Sequence, residues 1–422
     1  MRALEILALL IVAASIFSFL NCYLLRLPSS IGMLLGGLAA SAAIVVGNRL
    51  FPSFALTSEA RAFIGQIDFV RFLFGGALSF LLFGGALHLE LEDLVRERVP
   101  ILVLACLGVL LSTAIVGFAS YQVFRLLGAN VSLSHCLVFG ALISPTDPIA
   151  VLGILKDLHA PRALEIRIGG ESLFNDGFGV VVFALLLAIA EGSGRRVGEG
   201  VVSWAGLLFL REVAGGIALG LAGGLITFRA MKKINEPNVE VLLSFGLVVA
   251  ITLAAEKLHT SAPLACVVAG LFIGNRGRRY AMEEPTRQAI DRVWSFADSV
   301  LNSMLFLILG LEAVVLWSLL GRYFSLLLLI PIVLAARWLS VGAGVLLLRR
   351  RYPFEPGSLT LLTWGGLRGG ISVAMALSLG PFPGRNAVLV GTYGVVLFSV
   401  VIQGLTMTPL TRRLLGKKAI VQ

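Results

Sequence analysis

The chain has 422 residues, of which 58% are hydrophobic and 14% charged, and its mean hydropathy is +0.94. Soluble domains carry about a quarter charged residues, so this composition excludes a soluble globular protein. The formal net charge of +10 is compatible with either a nucleic-acid partner or a membrane surface, and the position of the basic residues decides between them.

Runs of apolar residues recur along the whole chain, and each is long enough to cross a bilayer as a helix. They predict an all-α polytopic membrane protein with about thirteen spans. The predicted spans are 3–22, 28–46, 68–89, 99–124, 131–155, 167–190, 203–228, 238–256, 260–274, 295–317, 324–348, 358–380 and 386–408.

The loops between these spans carry an uneven share of the basic residues. Lys and Arg are about twice as frequent in one set of alternate loops as in the other, and the richer side lies in the cytoplasm by the positive-inside rule. This places the carboxyl terminus in the cytoplasm and the amino terminus outside. The basic balance therefore indicates membrane topology and lipid neighbours, and no nucleic-acid partner is expected.

The first spans have the character of a scaffold. Span 2 contains Gly32, Gly36 and Gly37, a spacing that lets a neighbouring helix approach closely. Span 3 ends in acidic residues, of which Glu90 is the first after the apolar run. A solvated span end explains Glu90 better than a position at the mouth of a cavity.

Spans 5 and 6 carry three carboxylates at membrane depth. Span 5 contains the sequence SPTDP at residues 144–148, with Asp147 between two prolines, and span 6 contains Glu171 and Asp176. Proline removes a backbone donor and breaks a helix, which lipid tolerates only where the break lines a protein cavity. Carboxylates inside a membrane are costly and mark functional sites. Together they predict a site for a small cation.

A second interrupted segment is predicted in span 12. It contains GGLRGG at residues 365–370, four glycines around Arg368, and glycine weakens a helix. Spans 5 and 12 are each second in a triplet, 4–6 and 11–13. Corresponding interrupted segments in two halves point to a transporter site near the midplane, with the halves related as inverted repeats.

The two broken helices are expected to cross and to leave helix ends with opposite partial charges facing each other. Asp147 and Arg368 are placed to neutralise these ends. Span 11 carries Arg337, and an unpaired buried arginine is very costly. We therefore expect Glu171 to pair with Arg337, because Glu171 and Asp176 point about 140° apart around their helix.

This pairing leaves Asp176 to bind the ion. Ser172 lies one turn before it, and the hydroxyl or carbonyl of Thr146 would complete a shell of oxygen ligands for a hard cation. Burial disfavours the charged form of a carboxylate, so a proton and a cation are expected to compete for Asp176. Asn175 supports exchange of one proton for one cation, because its neutral amide carries no second proton. On span 10, Asp298 and Asn302 lie one turn apart; the predicted shell does not include them, and whether Asp298 contributes to the ion path stays open.

Four motifs in this order resemble a known family. They are residues 144–148 (SPTDP), residues 170–177 (GESLFNDG), Arg337 and residues 365–370 (GGLRGG). Over nearly its whole length the chain is similar to the NhaP-type electroneutral sodium/proton antiporters, a branch of the monovalent cation:proton antiporters related to animal sodium/proton exchangers. In the electrogenic branch an aspartate pair takes the place of Asn175 and Asp176.

The resemblance implies a thirteen-helix fold with inverted repeats, a homodimer in a prokaryotic inner membrane, and a six-helix core bundle that moves against a scaffold and dimerisation bundle. It makes Asp176, Thr146 and Ser172 the Na⁺ ligands, with Asn175 and Asp147 beside them, and gives Glu171, Arg337 and Arg368 a charge-compensating role. The expected division is 1–94 (scaffold helices 1–3), 95–194 (core helices 4–6), 195–320 (scaffold helices 7–10), 321–416 (core helices 11–13) and a short cytoplasmic tail, 417–422, with no soluble regulatory domain.

The predicted function is electroneutral exchange of Na⁺, and also Li⁺, for H⁺ by alternating access. No cofactor is expected beyond the transported ions. K⁺/H⁺ exchange uses the same ligand types and stays open. A cation channel is the alternative of another class, although the chain shows no repeated filter. An enzyme is not favoured, because the chain lacks a Gly-x-Ser-x-Gly elbow, a His-Glu-x-x-His motif and a Walker loop.

Overall fold

The structure is a computed structural model that describes residues 3–66, 68–158, 160–192 and 201–415. Every regular element in these ranges is helical. The helices of the amino-terminal half are α1 (Ala3–Leu20), α2 (Ser29–Leu50), α3 (Leu56–Ile64), α4 (Phe69–Phe72), α5 (Leu78–Leu87), α6 (Leu91–Arg96), α7 (Arg98–Leu102), α8 (Gly108–Leu126), α9 (Leu133–Ile143), α10 (Ile149–Asp157) and α11 (Arg162–Ala190).

The helices of the carboxyl-terminal half are α12 (Val201–Met231), α13 (Pro237–Leu258), α14 (Ala262–Phe272), α15 (Arg278–Tyr280), α16 (Glu284–Tyr323), α17 (Leu329–Leu348), α18 (Ser358–Trp364), α19 (Gly370–Leu377), α20 (Arg385–Phe398) and α21 (Gly404–Leu415). Several are joined without a loop by π-helical turns, such as Val103–Leu107 between α7 and α8.

The described residues contain ten helical stretches long and apolar enough to cross a membrane. The prediction of an all-α polytopic membrane protein is confirmed. The count of thirteen, the inverted repeats and the division into scaffold and core stay predictions, and the tail 417–422 lies outside the described residues.

Both predicted interruptions are present, and they meet. Helix α9 ends at Ile143 and α10 begins at Ile149, so the proline-flanked segment between them is not helical. Helix α18 ends at Trp364 and α19 begins at Gly370, across the glycine-rich segment. The backbone N–H of Asp147 donates to the carbonyl of Leu367 at 2.8 Å, which joins one break to the other.

Helices α2 and α16 pack through paired glycines. A Cβ atom at Gly37 would lie 2.6 Å from the carbonyl oxygen of Leu307, and one at Gly310 would lie 2.6 Å from that of Leu34. No side chain larger than hydrogen fits at either position, so the two backbones approach as small-residue packing in membranes allows. This contact fixes α16, which reaches the candidate site, against α2.

Candidate ion-binding site

A cavity of about 140 Å³ lies beside the two crossed breaks. Its polar wall consists of three carboxylates and two uncharged polar side chains, and the rest is leucine, isoleucine, proline and glycine. The polar residues are Asp147, Ser172, Asp176, Asp298 and Asn302. A small cavity with an excess of carboxylate oxygen among apolar residues suits a small cation that has given up part of its water.

Asp176 is presented by the continuous helix α11, which runs for 29 residues past the broken pair. Asp176 is only 7% exposed, and Ser172, one turn earlier on α11, lines the same cavity. The carboxylate is repelled by Asp147 and attracted by the guanidinium of Arg368. The electrostatic energy of the Asp176 carboxylate therefore depends on what occupies the cavity. Either a proton or a monovalent cation would relieve the repulsion by Asp147.

The broken segment is held against α11 through Thr146. Ser172 Oγ donates to the carbonyl oxygen of Thr146 at 2.5 Å. The amide of Asn175 donates from Nδ2 to Thr146 Oγ1 at 2.8 Å and accepts from the Thr146 N–H at Oδ1 at 3.3 Å. Both side-chain atoms of Asn175 are thus used on one residue. This three-bond clamp fixes the non-helical backbone next to Asp176.

The clamp has a consequence for the predicted ion ligands. Besides Asp147, four residues of the broken segment and α11 are predicted to bind the ion: Thr146, Ser172, Asn175 and Asp176. Two of them, Ser172 and Asp176, line the cavity. Thr146 and Asn175 bind each other behind it. The role of all five as ion ligands stays a prediction.

Glu171 and Arg337 are brought together as the sequence suggested. Arg337 Nη1 donates to Glu171 Oε1 at 2.5 Å, and Nη2 donates to the carbonyl oxygen of Leu362 at 3.1 Å. Both charged residues are buried. The pair links α11 to α17 and to the last turn of α18, away from the cavity.

Arg368 lies at the crossing, where it binds the end of the other broken helix. Its Nη1 donates to the carbonyl oxygens of Ser144 and Pro145 at 3.0 and 3.2 Å. These carbonyls have no partner within α9, because the helix ends there, and they carry its partial negative charge. The carboxylate of Asp147 lies on the opposite side, packed against Gly369 before the first turn of α19. Each predicted charge thus faces a helix end.

Asp298 and Asn302 were not included in the predicted shell, yet both line the cavity. The only signal in the sequence was their spacing of one turn inside an apolar span. A second cavity, of about 360 Å³, opens beyond Asp298 toward the surface; we call it the vestibule. Glu90 lies at its exposed rim, where Arg162 Nη2 donates to Glu90 Oε1 at 2.9 Å.

Interrupted helices that cross beside buried carboxylates are the architecture of secondary transporters. Residues 6–413 match the family described as "Sodium/hydrogen exchanger, transmembrane", and the chain belongs to this family.

Two curated relatives cover the whole molecule. The chain is 44% identical over 419 residues to the Na(+)/H(+) antiporter NhaP of Pseudomonas aeruginosa, covering 97% of both chains. It is 34% identical over 417 residues to the Na(+)/H(+) antiporter NhaH of Halobacillus dabanensis, again covering 97% of both. The solved structure of the sodium proton antiporter MjNhaP1 from Methanocaldococcus jannaschii at pH 8 has the same fold, with a TM-score of 0.77 at 20% identity over 98% of this chain and 99% of that chain.

Proposed function

We propose that the protein is a secondary antiporter that exchanges Na⁺, and also Li⁺, for H⁺ across the membrane without net charge movement. The observation that carries this proposal is the position of Asp176, a buried carboxylate on an intact helix in a cavity beside two broken helices. The two full-length relatives described above are named Na(+)/H(+) antiporters, which supports the choice of ions.

The stoichiometry follows from the chemistry of one carboxylate. Asp176 neutralises one proton or one monovalent cation, so each exposure to one side of the membrane replaces one charge by an equal charge. Asn175 beside it is neutral and fully engaged with Thr146, so it offers no second proton. Alternating access then requires only that the cavity open to each side in turn, with Asp176 always occupied during the change.

The remaining ligands are assigned by position. Ser172 lines the same cavity as Asp176, and its Oγ donates to the carbonyl of Thr146. Asp147 supplies a further carboxylate in the cavity wall. Glu171, Arg337 and Arg368 compensate charge and hold the broken helices, without touching the ion.

The same proposal includes an assembly and an orientation. We expect a homodimer in a prokaryotic inner membrane, with the amino terminus outside and the carboxyl terminus in the cytoplasm. The bias of Lys and Arg between alternate loops supports this orientation. The vestibule then opens to the cytoplasm, because its wall includes Lys156 and Arg162 from the loop between the predicted spans 5 and 6.

The test uses purified protein in liposomes that contain a pH-sensitive dye. A Na⁺ gradient should drive proton movement, and valinomycin with equal K⁺ on both sides should not change its rate. A Li⁺ gradient should act in the same way. Proton movement driven by K⁺ and not by Na⁺ would show that K⁺ is the transported cation. Proton movement that depends on voltage would contradict the electroneutral stoichiometry. No coupled proton movement with any ion would favour the channel.

The variant Asp176→Asn tests the assigned residue. It keeps the shape of the side chain and removes the charge, so the protein should fold and its exchange should fall to the level of protein-free liposomes. Glu92→Gln is the matched control, because Glu92 is an exposed carboxylate outside the cavity, and it should exchange normally. Coupled exchange by folded Asp176→Asn protein would remove Asp176 from the mechanism.

A further inference from the structure

The cavity that contains Asp176, which we call the inner cavity, shares part of its wall with the vestibule. Four residues line both, namely Gly85, Leu89, Leu152 and Asp298. Asp298 is the only one of these four with a polar side chain. We call this shared ring the throat. An ion that passes between the vestibule and Asp176 along this route must pass the carboxylate of Asp298.

Asn302 lies one turn further along α16 and faces the inner side of the throat. Asn302 is 6% exposed and lines the inner cavity. Neither its amide oxygen nor its amide nitrogen makes a hydrogen bond of ordinary geometry in the described part of the chain, and the amide lies close enough to Asp298 to stabilise the charge of that carboxylate. A buried amide without well-formed hydrogen bonds costs free energy, and a hydrated cation in front of it would reduce that cost.

The charges around the throat select a cation. Asp298 is half-buried and lies close enough to Asp147 for the two carboxylates to repel each other, and Asp176 lines the same cavity. The vestibule wall also contains two basic side chains: Arg162 is bound to Asp93 and Glu90, and Lys156 is exposed to solvent. A cation in front of Asp298 would relieve the repulsion, whereas an anion would increase it.

We propose that Asp298 and Asn302 form a second cation-binding position, which a monovalent cation occupies at the throat before it reaches Asp176. Asp298 supplies the charge, and the amide of Asn302 supplies an oxygen or holds a remaining water. Two protein ligands are few for a hard cation, so the ion keeps part of its hydration and binds weakly. The site rests on the proposed exchange function and adds a step to it.

Such a site has a kinetic signature. It concentrates cations at the throat, so its loss should raise the apparent KM for Na⁺ and leave the maximal rate unchanged. Clefts of one charge raise local counter-ion concentration by about tenfold or more, and salt weakens the effect. Raising ionic strength with choline chloride should therefore raise the KM of the unmodified protein, and should have a smaller effect once Asp298 is neutral.

The experiment measures Na⁺-driven proton movement in proteoliposomes over a range of Na⁺ concentrations. For Asp298→Asn we expect a KM about tenfold higher, a normal maximal rate and a flattened dependence on choline chloride. Asn302→Ala should raise the KM in the same direction, and the double variant should show less than the product of the two effects, because both residues serve one site. Glu312→Gln removes a carboxylate from the same helix outside both cavities and should keep the normal KM.

A folded Asp298→Asn protein with unchanged KM and unchanged salt dependence would overturn the proposal, as would a loss of maximal rate at constant KM. If Asp298→Asn does not fold, Asp298→Ser is measured in its place.

A binding measurement separates the two proposals. NaCl should stabilise Asp176→Asn protein against heating more than choline chloride does, and Asp176→Asn/Asp298→Asn should lose this difference. If the unmodified protein exchanges no ions, the proposed function fails while this measurement still decides on the throat site.

Discussion

Arg337 Nη1 lies 2.5 Å from Glu171 Oε1, and the two charges are buried together between α11 and α17. Arg337 also donates to the carbonyl of Leu362, so one guanidinium joins three helices. A Cβ atom at Gly366 would lie 2.6 Å from Arg337 Nε, so the arginine fills the space that this glycine leaves. The pair is therefore built into the packing around the second break.

Replacing Glu171 by Gln should destabilise the protein strongly. The variant leaves the Arg337 charge buried without its counter-charge, and breaking a buried ion pair from one side costs about 3–5 kcal/mol. We expect a lower melting temperature in detergent and a lower yield of folded protein, measured by thermal unfolding with a size-exclusion readout.

The double variant Glu171→Gln/Arg337→Met is the control for this interpretation. Removing both charges takes away the desolvation cost as well as the attraction, so it should be less destabilised than Glu171→Gln alone. A Glu171→Gln protein that melts at the normal temperature would contradict a structural role for the pair.

The sequence predicted this pair because charged residues at membrane depth are few. Among the basic residues, Arg337 and Arg368 lie closest to the middle of predicted spans, and the angle between Glu171 and Asp176 separates the neighbours of these two carboxylates. The two breaks could also be predicted, since proline and clustered glycine act locally on the helix. These parts of the site depend on short stretches of sequence.

The throat could not be predicted in the same way. Asp298 reaches the cavity because α16 is fixed by the Gly37 and Gly310 contact with α2, a packing relationship between distant segments. The segment Leu73–Ala77 has a similar effect, because the chain is kinked at Gly76 (φ 171°, ψ −46°), and Leu73 and Leu78 line the same cavity wall. Helical periodicity of 3.6 residues assigns these two leucines to different faces.

Competition at Asp176 predicts a specific pH dependence. A proton bound to Asp176 excludes Na⁺, so acidification should raise the apparent KM for Na⁺ and leave the maximal rate at saturating Na⁺ unchanged. The rise should approach about tenfold per pH unit where the carboxyl is mostly protonated, because one proton is displaced by each Na⁺. Na⁺ titrations in proteoliposomes at several pH values, equal on both sides, measure it. A falling maximal rate at constant KM would indicate a proton site separate from the cation site.

Asn175→Ala should weaken the attachment of Thr146 to α11. The variant removes both side-chain contacts of Asn175 and leaves the buried N–H and hydroxyl of Thr146 without these partners, at a cost of about 1–3 kcal/mol for an unsatisfied group. We expect a lower melting temperature together with a higher KM for Na⁺, because the bond from Ser172 Oγ is the one bond of the clamp that still holds Thr146.

Asn48→Ala is the control for Asn175→Ala. Asn48 Oδ1 accepts from the Thr57 N–H at 3.2 Å, far along the chain from the breaks. Its loss should lower stability slightly and leave the KM unchanged. If Asn175→Ala behaves like Asn48→Ala in both measurements, Asn175 does not position the ion site.

Gly369→Ala should disturb the crossing through steric contact alone. The backbone of Gly369 has φ −118°, which any residue adopts, but a Cβ atom there would lie 2.9 Å from Asp147 Cβ. Asp147 would have to leave its place before α19, where its charge opposes the helix end. We expect a lower melting temperature and slower exchange.

Gly246→Ala is the matched control. Gly246 lies inside α13 with no atom within 4 Å of the added Cβ, so this variant should be neutral or stabilise the protein by up to about 1 kcal/mol. Equal melting temperatures and equal exchange rates for the two variants would show that Asp147 does not need its present position.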